Sequence, residues 1–591
     1  MQLKAIKSPL DLKSCSLEDL ISISKQLRQY IIDIISSNEG HLGASLGVIE
    51  LTVLLHHTFN TPEDKILWDV GHQAYGHKIL TGRYEEFKSN RKWNGISGFP
   101  KMDESKYDSF GTGHAGTSIS AALGMALASK VKGIKNISYV SVIGDASIAT
   151  GMAFEALNHL GTTSANVLVI LNDNTMGIDP SVGALKNYLE KSNKNFDKKN
   201  NIFNSLNIDY YGPVDGHDMK LLQKELIEQK LKKGPRLLHI RTIKGKGLMS
   251  AEKDQILYHS PGKFDKITGK IYKNKKTKKL KFQQIFGKTI LDLAEINPKI
   301  VCVTPAMPTG SGLTEMMNQI PERCYDVGIA EQHAVTLAAG MSCEGLLPFC
   351  VIYSTFLQRS YDQIIHDVAI QNLNVIFCID RAGIVGHDGP THHGVFDISF
   401  LRCIPNITIL APRSGQRLRD FLYTLQFKPI GPVALRYPRG DSEIENINKD
   451  FKLLNLNKAS KISIGKKIAV ISLGTLFKNV NNAISSSSFT TEFSHYSFES
   501  VNPLDTEMLH DIFNNHTYVV SFEEGVKKGG FGSAIMEFAQ ENNYKIKIEI
   551  VGIPDKFIPH GDTEVLYESV EFSSIKILKK IENILSIINK V

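Results

Sequence analysis

Strand-length runs of apolar residues alternate along this chain with stretches whose apolar residues recur at helical spacing. The strand-like runs include NVLVIL, RLLHIRTI, KIVCVTP, NVIFCID, NITILAP, KIAVISLG and TYVVSFEE. Strands separated by helix-length segments are typical of parallel sheets, because a parallel strand needs a crossover connection. The pattern therefore predicts an α/β protein built from mainly parallel sheets flanked by helices.

The length of the chain and two shifts in composition predict three domains. The chain has 591 residues, and single hydrophobic cores rarely grow past about 250–300 residues. A Lys-rich stretch at 265–281 interrupts the alternation, and so does a polar stretch that follows RYPRG. We therefore predict domains at 1–280, 281–445 and 446–591.

Composition narrows the class of protein. Hydrophobic residues make up 42% and charged residues 22% of the chain, and Lys plus Arg (68) exceeds Asp plus Glu (61). That mild excess suits anionic small molecules, and the Lys-rich stretch lacks the interleaved aromatics of a nucleic-acid site. No apolar run approaches the ~20 residues that span a bilayer, and the first residues lack the apolar core of a secretory signal. The seven cysteines include no CxxC pair, which predicts reduced thiols. We expect a cytoplasmic protein that binds neither nucleic acid nor membrane.

Polar residues follow two strands that one helix separates. ISYVSVIG, ATGMAFEALNHL and NVLVIL predict a strand, a helix and a strand, and Asp145 and Asn174 follow the two strands. Ligands of such sheets lie at the carboxyl ends of the strands, so we expect these two side chains side by side. With the carbonyl of Met176 they form an oxygen set that suits Mg²⁺. The plainer alternative is a helix cap and a turn.

This arrangement resembles the thiamine-diphosphate motif, which runs from Gly-Asp-Gly to Asn-Asp-Asn, although Ala146 replaces the last glycine of the first triplet. Upstream, FGTGHAGTSISAALGMALA predicts a glycine-rich loop that leads into a helix of small residues. Gly111 and Gly113 would let the backbone approach an anion at the start of that helix. His72 and His114, each after a glycine, are suited to hydrogen-bond a phosphate, and a structural role is the alternative.

A separate region supplies a carboxyl group. Thiamine chemistry needs an acid that hydrogen-bonds N1′ of the cofactor's aminopyrimidine. CYDVGIAEQHAVTLAAGMSCEG places Glu331 between a short strand and a helix of small apolar residues. In isolation such a residue is equally well explained as a helix-capping acid.

Longer segments carry a family resemblance. YDVGIAEQHAVT, YSTFLQRSYDQIIHDVAIQNL, DRAGIVGHDGPTHHGVFD and RYPRG resemble the 1-deoxy-D-xylulose-5-phosphate synthases of the transketolase superfamily, and the likeness covers nearly the whole chain. It implies a homodimeric transferase of transketolase-like fold that uses thiamine diphosphate and Mg²⁺. Such an enzyme condenses pyruvate with D-glyceraldehyde 3-phosphate, with loss of CO₂, as the first step of non-mevalonate isoprenoid synthesis and as a source for thiamine and pyridoxal. The implied domains bind diphosphate (1–280), bind pyrimidine (281–445) and form a transketolase-like C-terminal part (446–591).

The resemblance also assigns residues to roles. It assigns Asp145, Asn174 and Met176 as ligands of Mg²⁺. It gives the diphosphate side of the cofactor to His72, Gly113, His114, Ala115, Ala146, Ser147, Asn174 and Leu248, and the pyrimidine side to Glu331 and Phe356. It gives the substrate phosphate to Arg381 and Arg439, with Tyr353 and Arg359 near the same pocket. It places His41, His259, Asp388 and His392 around the reacting carbons. Leu248 stands where the family usually has Tyr, which predicts weaker cofactor binding.

Three alternatives remain open. Another thiamine enzyme is the nearest, either a transketolase or the first component of a 2-oxoacid dehydrogenase, which would need a lipoyl-domain partner. An inactive regulatory homologue would lack Asp145, Asn174 or Glu331, and all three are present. A nicotinamide dehydrogenase is disfavoured, because no predicted strand leads into GxGxxG with an acid about 20 residues further on.

Overall fold

The structure, a computed structural model, describes residues 1–195, 201–272, 278–428, 430–447 and 450–589. The chain forms two compact units, a first unit of Met1–Asn274 with Gly328–Ala330 and a second unit of Lys275–Val327 with Glu331–Val591. Part of the predicted Lys-rich linker, 273–277, lies outside the described residues.

The first unit holds a five-stranded parallel sheet of order β1-β2-β3-β5-β4. Its strands are β1 Lys65–Trp68, β2 Tyr139–Gly144, β3 Val167–Asp173, β4 Asp209–Asp215 and β5 Arg236–Arg241. The helices of this unit are α1 Leu17–Asn38, α2 Leu42–Gly47, α3 Ile49–Thr58, α4 Tyr75–Leu80, α5 Ser118–Val131, α6 Asp145–Ile148, α7 Gly151–Leu160, α8 Ala184–Asn195, α9 Ile202–Ser205, α10 Met219–Leu231 and α11 Met249–Lys253.

Both faces of this sheet are buried. Successive residues of β3 alternate between two apolar clusters, with Leu168 and Ile170 on the side of α1 and α3. Val167 and Leu171 face the cluster that contains α5 and α7. A strand covered on both faces reads as a continuous apolar run, which is why NVLVIL shows no polar alternation.

The second unit holds two sheets. The seven-stranded sheet has the order β15-β10-β11-β9-β8-β6-β7, in which β15 alone pairs antiparallel among the described strands. The five-stranded sheet has the order β12-β14-β13-β16-β17, with β12 antiparallel. The strands are β6 Ile300–Thr304, β7 Cys324–Asp326, β8 Leu347–Tyr353, β9 Ile376–Ala382, β10 Thr408–Leu410, β11 Val433–Pro438, β12 Ser460–Ser463, β13 Ile468–Leu473, β14 Phe493–Phe498, β15 Ser500–Asn502, β16 Tyr518–Val526 and β17 Lys547–Ile553.

Helices cover these two sheets. They are α12 Phe282–Ile296, α13 Thr314–Gln319, α14 Glu331–Cys343, α15 Ser354–Leu357, α16 Tyr361–Gln363, α17 Asp397–Arg402, α18 Gly415–Leu425, α19 Phe477–Ser485, α20 Thr506–Asn515, α21 Phe531–Glu541, α22 Thr563–Ser569 and α23 Ser574–Ile588. Short 3₁₀ turns lie at Leu3–Ala5, Pro9–Leu12, Glu86–Ser89, Pro321–Arg323, Gln358–Ser360, Gly389–Thr391, Gly474–Leu476 and Thr490–Glu492, and a π-helical turn spans Ile364–Ala369.

One apolar cluster joins the two sheets of the second unit. It contains Phe377 and Ile379 of β9 together with Ala469 and Ile471 of β13. This shared core explains why residues on both sides of position 445 fall in one compact unit. The division at 445 and 446 therefore stays a prediction.

The predicted fold class is confirmed, because each of the three sheets is wholly or mainly parallel and carries helices. All seven cysteines are free thiols. Among the helices that the structure describes, none combines the length and the apolar character needed to cross a bilayer.

Candidate active site

Two neighbouring strand ends carry the candidate cation ligands. Strands β2 and β3 are paired with Gly144 opposite Asn172, so the residues that follow each strand meet at one edge of the sheet. The backbone N–H of Asn174 donates to the Asp145 carboxylate, and Ser181 Oγ donates to its Oδ2 at 3.0 Å. The structure thus brings Asp145 and Asn174 together as expected, while their role in holding Mg²⁺ stays a prediction.

A lysine that sequence reasoning missed lies near the carboxyl groups at this edge. Burial raises the pKa of Asp145 to about 6, and the nearby charge of Asp173 acts in the same direction. Lys244 is buried, and its ammonium donates to the Gly177 carbonyl at 2.6 Å. Burial lowers the pKa of Lys244 to about 8, against the influence of Asp145. The signal for Lys244 was its position just after β5, at the same sheet edge as Asp145.

The donor set fits a cation that arrives with a diphosphate. Among the described residues, no group of three or more His, Cys, Asp or Glu side chains could hold a metal. Mg²⁺ needs only one or two carboxylates when phosphate oxygens and water complete its octahedron. Asn174 Oδ1 accepts from the N–H of Met176 at 3.1 Å, and an amide oxygen has a second lone pair for a cation.

A buried aspartate fixes the glycine-rich loop. Asp69, which follows β1, accepts hydrogen bonds from Gly116 N at 2.8 Å, Ser118 N at 3.1 Å and Ser118 Oγ at 2.8 Å. Gly116 has a φ of +82°, and a Cβ there would lie 2.1 Å from Thr150 Oγ1. The loop that carries Gly113, His114 and Ala115 is therefore held in one shape at the start of α5.

Three of the predicted histidines form one cluster in the first unit. The ring centroids of His41 and His259 lie 5.6 Å apart, and those of His72 and His259 lie 6.0 Å apart. Arg91 Nη1 lies 3.3 Å from His41 Nδ1. The buried Nδ1 of His72 has no hydrogen-bond partner among the described residues. Burial lowers the pKa of His72 to about 4, with Lys244 acting in the same direction. A neutral imidazole with an unused nitrogen is what a bound ligand would satisfy.

In the second unit, the predicted acid begins helix α14. Glu331 is 5% exposed, and its burial raises the pKa of the carboxyl, while Arg359 opposes that rise. Arg359 Nη1 lies 4.0 Å from Glu331 Oε2, a contact that sequence reasoning did not predict. Burial favours the protonated form of a carboxyl, and that form is suited to donate a hydrogen bond to a ring nitrogen.

Four further predicted residues meet around one aromatic stack. The rings of Tyr353 and Phe356 are stacked with centroids 5.7 Å apart, and the His392 ring meets Phe356 edge-on at 5.6 Å. The Arg381 guanidinium lies 4.1 Å from the centroid of the Tyr353 ring. A Cβ on Gly310 would lie 2.1 Å from the Tyr353 hydroxyl, so the glycine leaves the space that this hydroxyl occupies.

A buried carboxyl, that of Asp380, interacts electrostatically with the two predicted phosphate-binding arginines. Burial raises the pKa of Asp380 to about 6, and both Arg381 and Arg439 act against that rise. Arg439 Nη1 donates to the carbonyl of Val385 at 3.1 Å. Asp388 also acts on Arg381 electrostatically. The structure therefore brings Arg381, Arg439 and Asp388 near one another. The motif analysis missed Asp380, although it directly precedes Arg381.

Three family models match successive parts of the chain. They are 1-deoxy-D-xylulose-5-phosphate synthase over 3–198 and 190–242, the transketolase pyrimidine-binding domain over 278–443 and the transketolase C-terminal domain over 457–577. A 1-deoxy-D-xylulose-5-phosphate synthase from Cytophaga hutchinsonii is 47% identical over 633 residues, covering 100% of this chain and 99% of the relative. The chain belongs to the 1-deoxy-D-xylulose-5-phosphate synthase family.

A second relative agrees with this assignment. A synthase of the same name from Bacteroides fragilis is 48% identical over 606 residues, covering 96% of this chain and 94% of the relative. Among solved structures, a transketolase from Campylobacter jejuni is similar with 18% identity and a TM-score of 0.43, covering 96% of this chain and all (100%) of that chain. The resemblance predicted from the motifs is confirmed at the level of the synthase family.

Two residues, Ala146 and Leu248, are expected to depart from the usual pattern of the family. A Cβ on Gly177 would lie 3.4 Å from the methyl group of Ala146, so the loop after Asn174 accommodates that methyl at ordinary contact distance. Ser147 is buried beside it. Leu248 packs against the apolar cluster of α1 and α3. Its predicted contact with the cofactor stays a prediction.

Proposed function

We propose that this chain is a cytoplasmic transferase that condenses pyruvate with D-glyceraldehyde 3-phosphate to give 1-deoxy-D-xylulose 5-phosphate and CO₂. The match to synthases of that name over the full chain carries the proposal. The buried carboxyl of Glu331 and the acid and amide at the ends of β2 and β3 support it. The product would serve isoprenoid, thiamine and pyridoxal synthesis.

The cofactor is thiamine diphosphate, which supplies an electron sink for the decarboxylation of pyruvate. In the first unit, Asp145, Asn174 and the carbonyl of Met176 hold Mg²⁺. The residues that contact the diphosphate side are His72, Gly113, His114, Ala115, Ala146, Ser147, Asn174 and Leu248. The buried Nδ1 of His72 supports this assignment, because a bound diphosphate would give that nitrogen the hydrogen-bond partner that it lacks among the described residues.

In the second unit, Glu331 donates a hydrogen bond to N1′ of the aminopyrimidine, and Phe356 lies against that ring. Burial favours the protonated carboxyl that this donation requires, because the charged form loses its hydration. Arg359 acts in the opposite direction and favours the charged carboxylate. Glu331 therefore holds and returns a proton at its carboxyl oxygen during each turnover.

The acceptor aldehyde is held by its phosphate. Arg381 and Arg439 bind the phosphate dianion, since a guanidinium presents paired N–H donors that match phosphate oxygens. The Arg381 guanidinium stacks on the ring of Tyr353. The buried carboxyl of Asp380 is the counter-charge of both arginines. Arg359, whose Nη1 lies 4.0 Å from Glu331 Oε2, is also assigned to the substrate pocket.

Proton transfers at the reacting carbons fall to the remaining polar residues. The new bond joins the carbonyl carbon of pyruvate to the aldehyde carbon, CO₂ leaves, and the aldehyde oxygen must gain a proton. His41, His259 and His392 are the candidates to supply it, because imidazole titrates near neutrality. Asp388 orients the substrate. The assembly is a homodimer of chains with the three predicted domains.

The proposed function can be tested by asking which donor substrate the enzyme accepts, pyruvate or a ketose phosphate. Purified protein with Mg²⁺ and thiamine diphosphate should release CO₂ from pyruvate only when D-glyceraldehyde 3-phosphate is present. It should transfer no two-carbon unit from a ketose phosphate to an aldose phosphate. Transfer from the ketose with no release of CO₂ would refute the proposal and favour a transketolase.

A further inference from the structure

The loop 383–394 carries two of the predicted site residues, Asp388 and His392, between β9 and α17. Its two ends are joined by paired backbone hydrogen bonds, from Gly383 N to Gly394 O at 2.6 Å and from Gly394 N to Gly383 O at 2.8 Å. The two ends of the loop are therefore fixed to each other, and the conformation of the residues between them depends on their side-chain hydrogen bonds.

His393, next to the predicted His392, holds that interior. It is 2% exposed. Its Nδ1 accepts from the N–H of Val385 at 3.1 Å, and its Nε2 lies 3.1 Å from the carbonyl of Pro559. An N–H at one nitrogen and a carbonyl at the other define a neutral ring that is protonated at Nε2. Burial lowers the pKa of His393, which favours this neutral form.

A glutamate of β16 supports the same end of the loop. Glu524 Oε1 accepts from the N–H of Ile384 at 2.8 Å and from the Tyr567 hydroxyl at 2.7 Å. Gly383 has a φ of +82°, and a Cβ there would lie 2.3 Å from Glu524 Cδ. The C-terminal sheet therefore contacts this loop through side chains and not only through apolar packing.

Val385 links this support to the substrate arginines. Its N–H donates to His393, and its carbonyl accepts from Arg439 Nη1 at 3.1 Å. Any shift of Val385 that follows the loss of His393 will therefore move a predicted phosphate-binding guanidinium. The segment around Pro559, which bears no predicted site residue, thus reaches the acceptor side of the site through the His393 imidazole.

We propose that His393 is a positioning residue for the acceptor aldehyde, which ties loop 383–394 to the segment around Pro559 and fixes Arg439 through Val385. This inference rests on the proposed function. Since Arg439 is assigned to the aldehyde phosphate and not to the cofactor, the proposal concerns KM for D-glyceraldehyde 3-phosphate above all. The hydrogen bonds of His393 lead to Val385 and Pro559, so we expect its loss to change the Kd of thiamine diphosphate less than KM for the aldehyde.

The experiment compares His393→Leu with His393→Gln in the full-length enzyme. Gln offers one acceptor and one donor at similar reach, whereas Leu offers neither. We expect His393→Leu to raise KM for the aldehyde about tenfold, with KM for pyruvate and the Kd of thiamine diphosphate within about twofold of the parent protein. His393→Gln should recover most of the aldehyde KM.

His516→Leu is the matched control. His516 is a buried histidine of the same unit that also makes two hydrogen bonds, to Ile512 O at 3.0 Å and to Ser494 Oγ at 2.8 Å. It should lower the melting temperature and leave KM for the aldehyde unchanged. If His393→Leu does not fold, Tyr567→Phe, which removes one hydrogen bond to Glu524, should raise the same KM by a smaller factor.

The outcomes separate the inference from the function on which it rests. Absence of turnover in the parent protein refutes the proposed function and this inference with it. Normal turnover in the parent, together with an unchanged aldehyde KM in both His393→Leu and Tyr567→Phe, refutes the inference alone. Equal changes in the Leu and Gln variants, or in the His516→Leu control, also refute it.

Discussion

Arg359 Nη1 lies 4.0 Å from Oε2 of Glu331, and both side chains are largely buried. The two influences on this carboxyl oppose each other, because burial raises its pKa and the guanidinium lowers it. Burial thus favours the protonated carboxyl, and Arg359 favours the charged carboxylate. The local sequence IAEQH marks Glu331, but the partner that tunes it lies on another segment.

Replacing Glu331 by Gln should remove most of the activity. Gln preserves the shape and one hydrogen-bond donor but cannot exchange a proton, so we expect kcat to fall about 10²- to 10⁴-fold. Thiamine diphosphate should still bind, as titration of intrinsic fluorescence would measure. Glu344→Gln, at an exposed residue just after α14, is the control and should keep full activity. Turnover of Glu331→Gln near that of the parent would refute the assigned role.

Replacing Arg359 by Met should move the pH dependence of the enzyme. Loss of the positive charge removes the influence that lowers the pKa of Glu331, so that pKa must rise. The limb of the pH profile of kcat/KM that belongs to Glu331 should shift to higher pH. Lys at the same position keeps the charge and should shift the profile less. A profile unchanged in Arg359→Met would show that the two groups do not interact in solution.

Replacing Asp145 by Asn should weaken the binding of thiamine diphosphate in the presence of Mg²⁺. The neutral amide loses the carboxylate that holds the cation, and we expect the Kd of the cofactor to rise about 10- to 100-fold or more. Isothermal titration calorimetry with and without Mg²⁺ would measure it. Asp209→Asn, at the exposed amino end of β4, should have no effect. Equal cofactor affinity in the two variants would remove Asp145 from the cation site.

An alanine at Gly310 should disturb the acceptor side through Tyr353. The added Cβ would lie 2.1 Å from the Tyr353 hydroxyl, and the ring that the Arg381 guanidinium covers would have to move. We expect KM for D-glyceraldehyde 3-phosphate to rise several-fold, by about 1 kcal/mol of lost binding. In the double variant Gly310→Ala/Tyr353→Phe the hydroxyl contact is gone. The flexible end of Met307, 2.8 Å from the added Cβ, can move away, so the double variant should resemble Tyr353→Phe alone. Simple additivity of the two changes would contradict this contact.

The stability of the second unit should depend on pH through Glu523. Burial raises the pKa of Glu523 to about 7, above the ordinary value of about 4.3. The folded protein therefore holds a proton that the unfolded chain has lost, and this contribution to stability disappears as pH rises through about 7.

Glu523→Gln has no proton to lose at this position and keeps one acceptor oxygen, whereas Phe531 N–H and Gly532 N–H donate to separate oxygens of Glu523. Its melting temperature relative to the parent should therefore rise between pH 5 and pH 8, by the equivalent of about 1–3 kcal/mol. Glu541→Gln, at an exposed end of α21, should show no such change. Melting curves that run parallel for Glu523→Gln and the parent across this range would contradict the prediction.

Much of the architecture was predictable because local patterns determine it. Apolar runs such as NVLVIL and KIAVISLG are strands in the structure, β3 and β13. The rule that parallel strands present ligands at their carboxyl ends placed Asp145 beside Asn174 correctly. The strand β15 was not predictable, since Ser500–Asn502 is three residues long and carries no period.

The residues that sequence reasoning missed depend on distant contacts. Asp69 accepts from Gly116, 47 residues further along, and His393 reaches Pro559 across 166 residues. Asp380 matters because the fold buries it beside Arg439. No local pattern distinguishes such residues from ordinary polar neighbours, because their partners are brought near only by the tertiary fold.

The condensation of pyruvate with D-glyceraldehyde 3-phosphate is the reaction that defines this enzyme. The most direct measurement is NMR of purified protein with Mg²⁺, thiamine diphosphate and ¹³C-labelled pyruvate, with and without D-glyceraldehyde 3-phosphate. Labelled 1-deoxy-D-xylulose 5-phosphate that forms only when the aldehyde is present is the predicted result. Pyruvate that stays intact with the aldehyde present would contradict the account.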